Sequence, residues 1–160
     1  MSARRPPLRV VLDTNVLVAI LAFDDPALEP LRTAWRVGAA IPLTDGACIA
    51  EMERVLAYPE LANRQGAARP ALDEYLSLCE RIPEDVTDAS ELPICRDTDD
   101  QKFLALASRG RADALATRDK LLLELARRTQ FAIVAPEALV ARLAAGFDLD
   151  QCGRRNAGLA

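Results

Sequence analysis

The sequence predicts an α/β domain built on a parallel sheet with helices covering both faces. Three observations carry that expectation. Short continuous apolar runs, Leu8 with Val10-Val11-Leu12 and later Phe131-Ala132-Ile133-Val134, read as buried strands. Segments with helical apolar spacing lie between the strand candidates. The chain of 160 residues is 51% hydrophobic and 28% charged, which suits one globular domain with its own core. The expected organisation is an arm over 1–7, a domain over 8–146 and a flexible tail over 147–160, where the residues show no periodicity.

The elements follow in order. The first strand ends where Asp13-Thr14-Asn15 interrupts the apolar run, and a helix is expected over 16–23. Asp24-Asp25-Pro26 breaks it, and a second helix over 27–37 stops at Gly38. Ile41-Pro42-Leu43 is a short strand, after which Thr44 or Asp45 caps a helix reaching about Ala57, before Pro59. A short helix is expected over 60–65 and a clearer one from Pro70 to about Arg81, with a polar loop over 83–93. Thr98-Asp99-Asp100-Gln101 has the form of a capping box opening a helix over 99–109, stopped by Gly110. A strand over 114–116, a helix from Asp119 to about Arg128, the strand over 131–134 and a helix from Pro136 to Ala145 complete the domain.

Composition narrows the chemistry. Histidine is absent, which removes Ser-His-Asp and Cys-His catalysis, His-ligated zinc and imidazole proton shuttles. Aromatic residues make up only 4%, too few for a broad base-stacking platform. The net charge of −4 gives no general attraction for phosphates, so a nucleic-acid partner would need a local basic patch. The four cysteines, Cys48, Cys79, Cys95 and Cys152, are too far apart in sequence for a CxxC pair; Cys48 and Cys79 read as core fillers. No apolar run is long enough to span a bilayer and no leader pattern opens the chain, so a cytoplasmic location with no membrane contact is expected. Acid-base or metal chemistry must run on carboxylates.

The acids fall where sites form. In open parallel sheets, ligands gather at the carboxyl ends of the strands. Asp13 directly follows the first strand, and Asp119 follows the strand over 114–116; each either caps the next helix or joins a site. Asp100 shares a helix face with Phe103, Leu104 and Ala107, a face that must be buried, so its carboxylate needs a partner or a metal. Asp97 stands just before that helix as a loop residue or a further ligand. Glu51 and Glu53 border opposite sides of the stripe Cys48, Ile49, Met52, Val55 and Leu56, and periodicity does not choose between them. Converging carboxylates repel each other, and hard oxygen donors select Mg²⁺ or Mn²⁺ over zinc. Such a site suits phosphodiester hydrolysis.

Four blocks, in this order and spacing, resemble the PIN domain family: Val10-Val11-Leu12-Asp13-Thr14-Asn15-Val16, Glu51-Met52-Glu53-Arg54-Val55-Leu56, the run from Cys95 through Asp97, Asp100 and Lys102 to Ala107, and Ala116-Thr117-Arg118-Asp119-Lys120. The bacterial branch of toxin components of toxin–antitoxin systems, VapC-like ribonucleases, is the most similar. The resemblance implies a three-layer α/β/α fold with a parallel sheet of about five strands. It implies Mg²⁺- or Mn²⁺-dependent ribonuclease activity, with catalytic and metal-binding acids at Asp13, Glu51, Asp100 and Asp119 and an extra acid at Asp97. Thr14, Asn15 and Thr117 fall on positions that support the acids. Arg96, Lys102, Arg118 and Lys120 flank them and are expected to meet RNA phosphates. The implied partners are RNA, a cognate antitoxin protein and further copies of the chain as a homodimer or higher homo-oligomer. Two other readings remain. A phosphatase or phosphotransfer domain would use Asp13 as nucleophile, but its pattern wants an acid where Asn15 stands. A non-catalytic metal- or RNA-binding module would use the helices over 27–37 and 71–81 as a partner surface, unless their apolar residues simply fill the core.

Overall fold

The computed structural model describes residues 5–85 and 91–145. Residues 1–4 of the expected arm, the middle of the expected loop over 83–93, Cys152 and the whole expected tail over 147–160 lie outside the described residues.

Among the described residues five strands form one sheet: β1 (Leu8–Leu12), β2 (Ala40–Thr44), β3 (Glu80–Arg81), β4 (Ala114–Ala116) and β5 (Ala132–Val134). Their order is β3-β2-β1-β4-β5, and every neighbouring pair is parallel. Among the described residues seven α-helices accompany them: α1 (Thr14–Leu21), α2 (Glu29–Arg36), α3 (Gly46–Leu56), α4 (Gln65–Leu78), α5 (Gln101–Arg109), α6 (Lys120–Leu123) and α7 (Pro136–Ala144). This is the three-layer α/β/α arrangement that the alternating pattern predicts.

The alternation of side chains along each strand builds the layers. Val10, Leu12, Ala114 and Ala116 point to one side, where they pack with Val16 and Ile20 of α1, Leu31 and Trp35 of α2, Met52 of α3, Leu72 and Tyr75 of α4, and Leu139 of α7. Val11, Leu43, Leu115 and Ile133 point to the other, against Phe103, Leu104, Leu106 and Ala107 of α5 and Leu122 of α6. The central strands are therefore apolar on both faces, which is why β1 reads as a continuous apolar run. The apolar residues of α2 and α4 mostly fill the core, the plainer of the two roles considered for them.

Strand order reverses at β1, whose neighbours β2 and β4 are reached by connections running in opposite directions. The carboxyl ends of β1 and β4 flank the crevice such a reversal opens. Pro42 is tolerated in β2 because β3 pairs only with Leu43 and Thr44, so the proline falls before β3 begins.

Several boundaries differ from the sequence expectation. The helix expected from Pro70 begins at Gln65 and carries Pro70 in its second turn. There the proline removes one bond to a first-turn carbonyl, a loss outweighed by burial of Ala68, Leu72 and Tyr75 along one face. The helix stops at Leu78, and Glu80–Arg81, expected as its end, forms β3. The segment 60–65 is a 3₁₀ turn over Pro59–Arg64 instead of an α-helix. The helix after Asp119 is a short α6 followed by a separate 3₁₀ turn, Ala126–Arg128.

The capping box also works differently. Asp97, not Thr98, caps a 3₁₀ turn over Thr98–Asp100 that leads into α5. Gln101 accepts from the Cys95 N–H at 2.8 Å and donates to the Pro93 carbonyl at 3.1 Å, holding the incoming chain against α5. Gly110 ends α5 as expected, for a packing reason: a Cβ there would stand 2.7 Å from Leu43 Cδ1. The left-handed turn is taken by Arg111, at φ 51°.

Gln101→Leu keeps the apolar stem but removes both amide bonds. A loss of about 1–2 kcal/mol in urea unfolding is expected, with a wild-type-like circular dichroism spectrum. An unchanged midpoint would show that Gln101 does not anchor the segment before Asp97.

Candidate active site

Acids arrive at one edge of the sheet from three places. β1 ends at Leu12, and Asp13 turns the chain into α1, its Oδ1 accepting the Asn15 N–H at 3.4 Å. It is thus a helix cap and a strand-end acid at once, and only 4% of it is exposed. Its Oδ2 accepts from the Thr117 hydroxyl at 2.7 Å. Thr117, wholly buried just after β4, accepts the Asp119 N–H at 3.0 Å through the same oxygen. Asp119 then caps α6 by accepting the Leu121 N–H at 2.8 Å. One hydroxyl thereby ties the ends of β1 and β4 together.

The third source is the turn before α5. Asp97 accepts the Asp99 N–H at 3.0 Å, and its carbonyl accepts the Asp100 N–H at 3.2 Å. This turn brings Asp97 and Asp100 to the same side. Carboxylate oxygens of Asp97, Asp100 and Asp119 lie within 4.8 Å of one another, the one such cluster among the described residues. Asp97 is exposed and the other two are half-buried. Asp13 and Glu51 stand outside this triad, although they were expected to share its metal. Asp13 still interacts electrostatically with Asp100, Asp119 and Glu51.

Electrostatics at this edge is unbalanced toward negative charge. Burial raises the Asp13 carboxyl above the usual range; the Thr117 and Asn15 bonds oppose that, and the Glu51 and Asp119 charges add to it. Asp100 is pushed up to about 7, first by burial, then by a hydrogen bond with Asp119 and by the charges of Asp13, Asp119 and Asp97. A carboxyl held near neutrality among other acids marks a place where a proton or a cation is favoured. The donor set fits a hard divalent cation, being all oxygen with no imidazole. The thiols do not compete: burial raises Cys48, Cys79 and Cys95 alike, so all three are protonated at neutral pH.

Glu51 is held apart on α3. The Thr14 hydroxyl donates to one of its oxygens, and the Lys102 ammonium donates to the other at 2.9 Å. Glu53 is exposed and faces α4, 3.8 Å from Arg69. The choice that periodicity leaves open is thus decided spatially: Glu51 turns toward the acid edge and Glu53 away. Asn15 is exposed and contributes its backbone N–H to Asp13. Of the four basic residues, Lys102 is bound to Glu51, and Arg118 pairs with Glu137 and, at 3.5 Å, with Asp25. Both were expected to meet RNA phosphates, and in the structure each is paired with acids from other segments. Arg96 and Lys120 are exposed and form no ion pair among the described residues.

Asp45 has a role that the sequence shows only in part. It caps α3 through the Cys48 N–H at 2.9 Å and also pairs with Arg109 at 2.7 Å, with only 3% of its side chain exposed. The cap is legible locally; the partner lies 64 residues away, and no local signal announces it.

Thr117→Val keeps the shape but leaves the buried Asp13 carboxylate without its hydroxyl donor. A stability loss of about 1–3 kcal/mol is expected by chemical denaturation, and a loss under 0.5 kcal/mol would place Asp13 in water instead. A pH effect follows from Asp100 and Asp13. Their folded pKa values are raised, so the folded state binds more protons than the unfolded one from about pH 4 to about pH 7. Stability of the chelator-treated protein therefore falls as pH rises through that window. The lowered groups, Glu74, Glu80 and Glu137, act below pH 4.5 and do not offset it. Melting temperature is expected to be lower at pH 8 than at pH 5, with Asp100→Asn shrinking the difference; an equal slope in the variant would remove Asp100 as its cause.

No curated protein matches the chain. A model of the PIN domain matches residues 9–121, a span that contains most of β1, the whole acid edge and the start of α6. By that match, and by the parallel sheet that gathers Asp13, Asp97, Asp100 and Asp119 at its carboxyl edge, the chain belongs to the PIN domain family.

Proposed function

We propose that the protein is a metal-dependent endoribonuclease acting on RNA phosphodiester bonds, and that it is the toxin of a toxin–antitoxin pair. PIN domains are generally nucleases with acidic metal-binding residues. The observation that carries the reading here is the Asp97–Asp100–Asp119 triad, with ligand oxygens within 4.8 Å of one another beside buried Asp13. An Mg²⁺ or Mn²⁺ ion held by these acids would supply an activated water and offset phosphate charge.

The residues of the chain supply the rest. Asp97, Asp100 and Asp119 present the oxygens. Asp13, fixed by Thr117 and the Asn15 N–H, adds negative charge beside them and reaches the site directly or through water. Asp100, whose carboxyl is raised to about 7 by burial and the neighbouring acids, would hold the cation as a carboxylate. Glu51, braced by Thr14 and Lys102, orders water at the border of the site. Arg96 and Lys120, exposed beside Asp97 and Asp119, attract RNA phosphates. The departing 3′-oxygen would leave with help from the metal or from solvent. The products are then 5′-phosphate and 3′-hydroxyl ends.

The toxin assignment rests on the motif blocks resembling that bacterial branch. An antitoxin or a second copy of the chain is the matching partner. Among the described residues, no helix is long and apolar enough to cross a membrane.

A metal-titrated assay on a mixed RNA panel tests the reading. Loss of residues that merely orient ligands costs about 10–100-fold, so Asp100→Asn and Asp13→Asn are each expected to lower cleavage at least that much. Undiminished cleavage in both purified variants, or products ending in cyclic phosphate, would refute it. RNA binding without cleavage under Mn²⁺ would identify a non-catalytic module.

A further inference from the structure

We propose that Lys102 takes the place of a second metal ion, so that the acid edge holds a single divalent cation and Glu51 is not one of its ligands. The inference rests on the metal-dependent reading above and concerns how many ions the site admits. The acids at this edge fall into two groups. Asp97, Asp100 and Asp119 cluster within 4.8 Å, with Asp13 beside them. Glu51 lies outside that cluster, and both of its oxygens are engaged, one by Thr14 and one by Lys102 at 2.9 Å, with the mostly exposed Arg54 guanidinium a more distant 3.8 Å from the latter oxygen.

The Lys102 ammonium has a second anchor, the carbonyl of Asp99, in the turn between Asp97 and Asp100. It therefore bridges α3 to the turn that carries two of the triad acids. The pair is mostly covered, with 21% of the Lys102 side chain and 16% of the Glu51 side chain exposed. Solvent screens such a pair less than a surface pair, and removing one partner strands the other charge. A cation ligated by both Glu51 and the triad would have to displace this ammonium or bear its repulsion at close range. Lys102 is thus a positioning residue: it neutralises Glu51, pins the Asp97–Asp100 turn to α3 and denies the Glu51 side to a second ion.

The test counts Mn²⁺ bound to the full chain after chelator treatment and dialysis, by calorimetry and by electron paramagnetic resonance. Wild type is expected to bind a single Mn²⁺, with no exchange-coupled pair signal. Lys102→Met should admit a second Mn²⁺ next to the first and produce that signal. Lys102→Arg should restore single-ion binding, and Glu51→Gln placed in the Lys102→Met background should abolish the second ion. Should Lys102→Met not fold, Glu51→Gln alone decides. Its single-ion affinity is expected to stay within about threefold of wild type, whereas a loss of about tenfold or more, the scale of a lost ligand interaction, would overturn the inference. Two ions in wild type, or one in a folded Lys102→Met, also overturn it and leave the nuclease reading standing. No Mn²⁺ binding at all overturns both.

Discussion

The like-charge repulsion among carboxylates at the ends of β1 and β4 is the constraint on which the site depends. Asp13 is 4% exposed and interacts with the charges of Glu51, Asp100 and Asp119, so water cannot dilute the repulsion as it would on an open surface. The chain answers with dipoles. Backbone N–H groups at the starts of α1, α6 and the turn before α5 point at Asp13, Asp119 and Asp97. The Thr117 hydroxyl serves Asp13 and, through its lone pair, the Asp119 N–H. These bonds fix where the oxygens stand without neutralising them. The remaining imbalance appears as the raised Asp100, a place where a proton or a cation is favoured.

The sheet makes this edge possible. Because β1 and β4 are neighbours in register, Leu12 stands beside Ala116, and the residues just beyond them emerge together. Two apolar layers, one on each face, hold those strands in place. Leu12 and Ala116 pack toward the side of α1 and α4, while Val11 and Leu115 pack toward α5. The same α5 that buries Phe103, Leu104 and Ala107 starts immediately after Asp100. Core packing and acid placement are therefore linked through one helix, and a shift in α5 would move Asp100 and Lys102 together.

Ion pairs bind α5 to the far side of the edge as well. Lys102 near its start reaches Glu51 on α3, and Arg109 at its end reaches Asp45, the cap of α3. Two cross-links between the same two helices at opposite ends of α5 set their relative position. Buried pairs of this kind add little net stability over apolar contacts but penalise misalignment, since a shift leaves a charge unpaired. Arg118 does comparable work at the rim, joining the β4 end to Glu137 of α7 and to Asp25.

Much of this was legible from residue order alone. Continuous apolar runs gave β1, β2, β4 and β5 because both faces are covered, local patterning gave α1, α3, α5 and α7, and Asp13 and Asp119 announced themselves by following strands. The short-range chemistry of caps and periodicity operates within a few residues, and there the reading holds, save that Asp97 and not Thr98 caps the turn before α5. It failed where tertiary contacts override local preference. Pro70 sits inside α4 because burial of Leu72 and Tyr75 outweighs one lost backbone bond, and β3 is two exposed residues with no pattern to reveal them. Whether Glu51 or Glu53 turned toward the acids, that Lys102 would be held by Glu51, and that Arg109 would bury itself on Asp45 were decided only in three dimensions. Each depends on charges brought together from positions 51 or 64 residues apart, a distance along the chain over which periodicity carries no information and Coulomb attraction acts only once the core has formed.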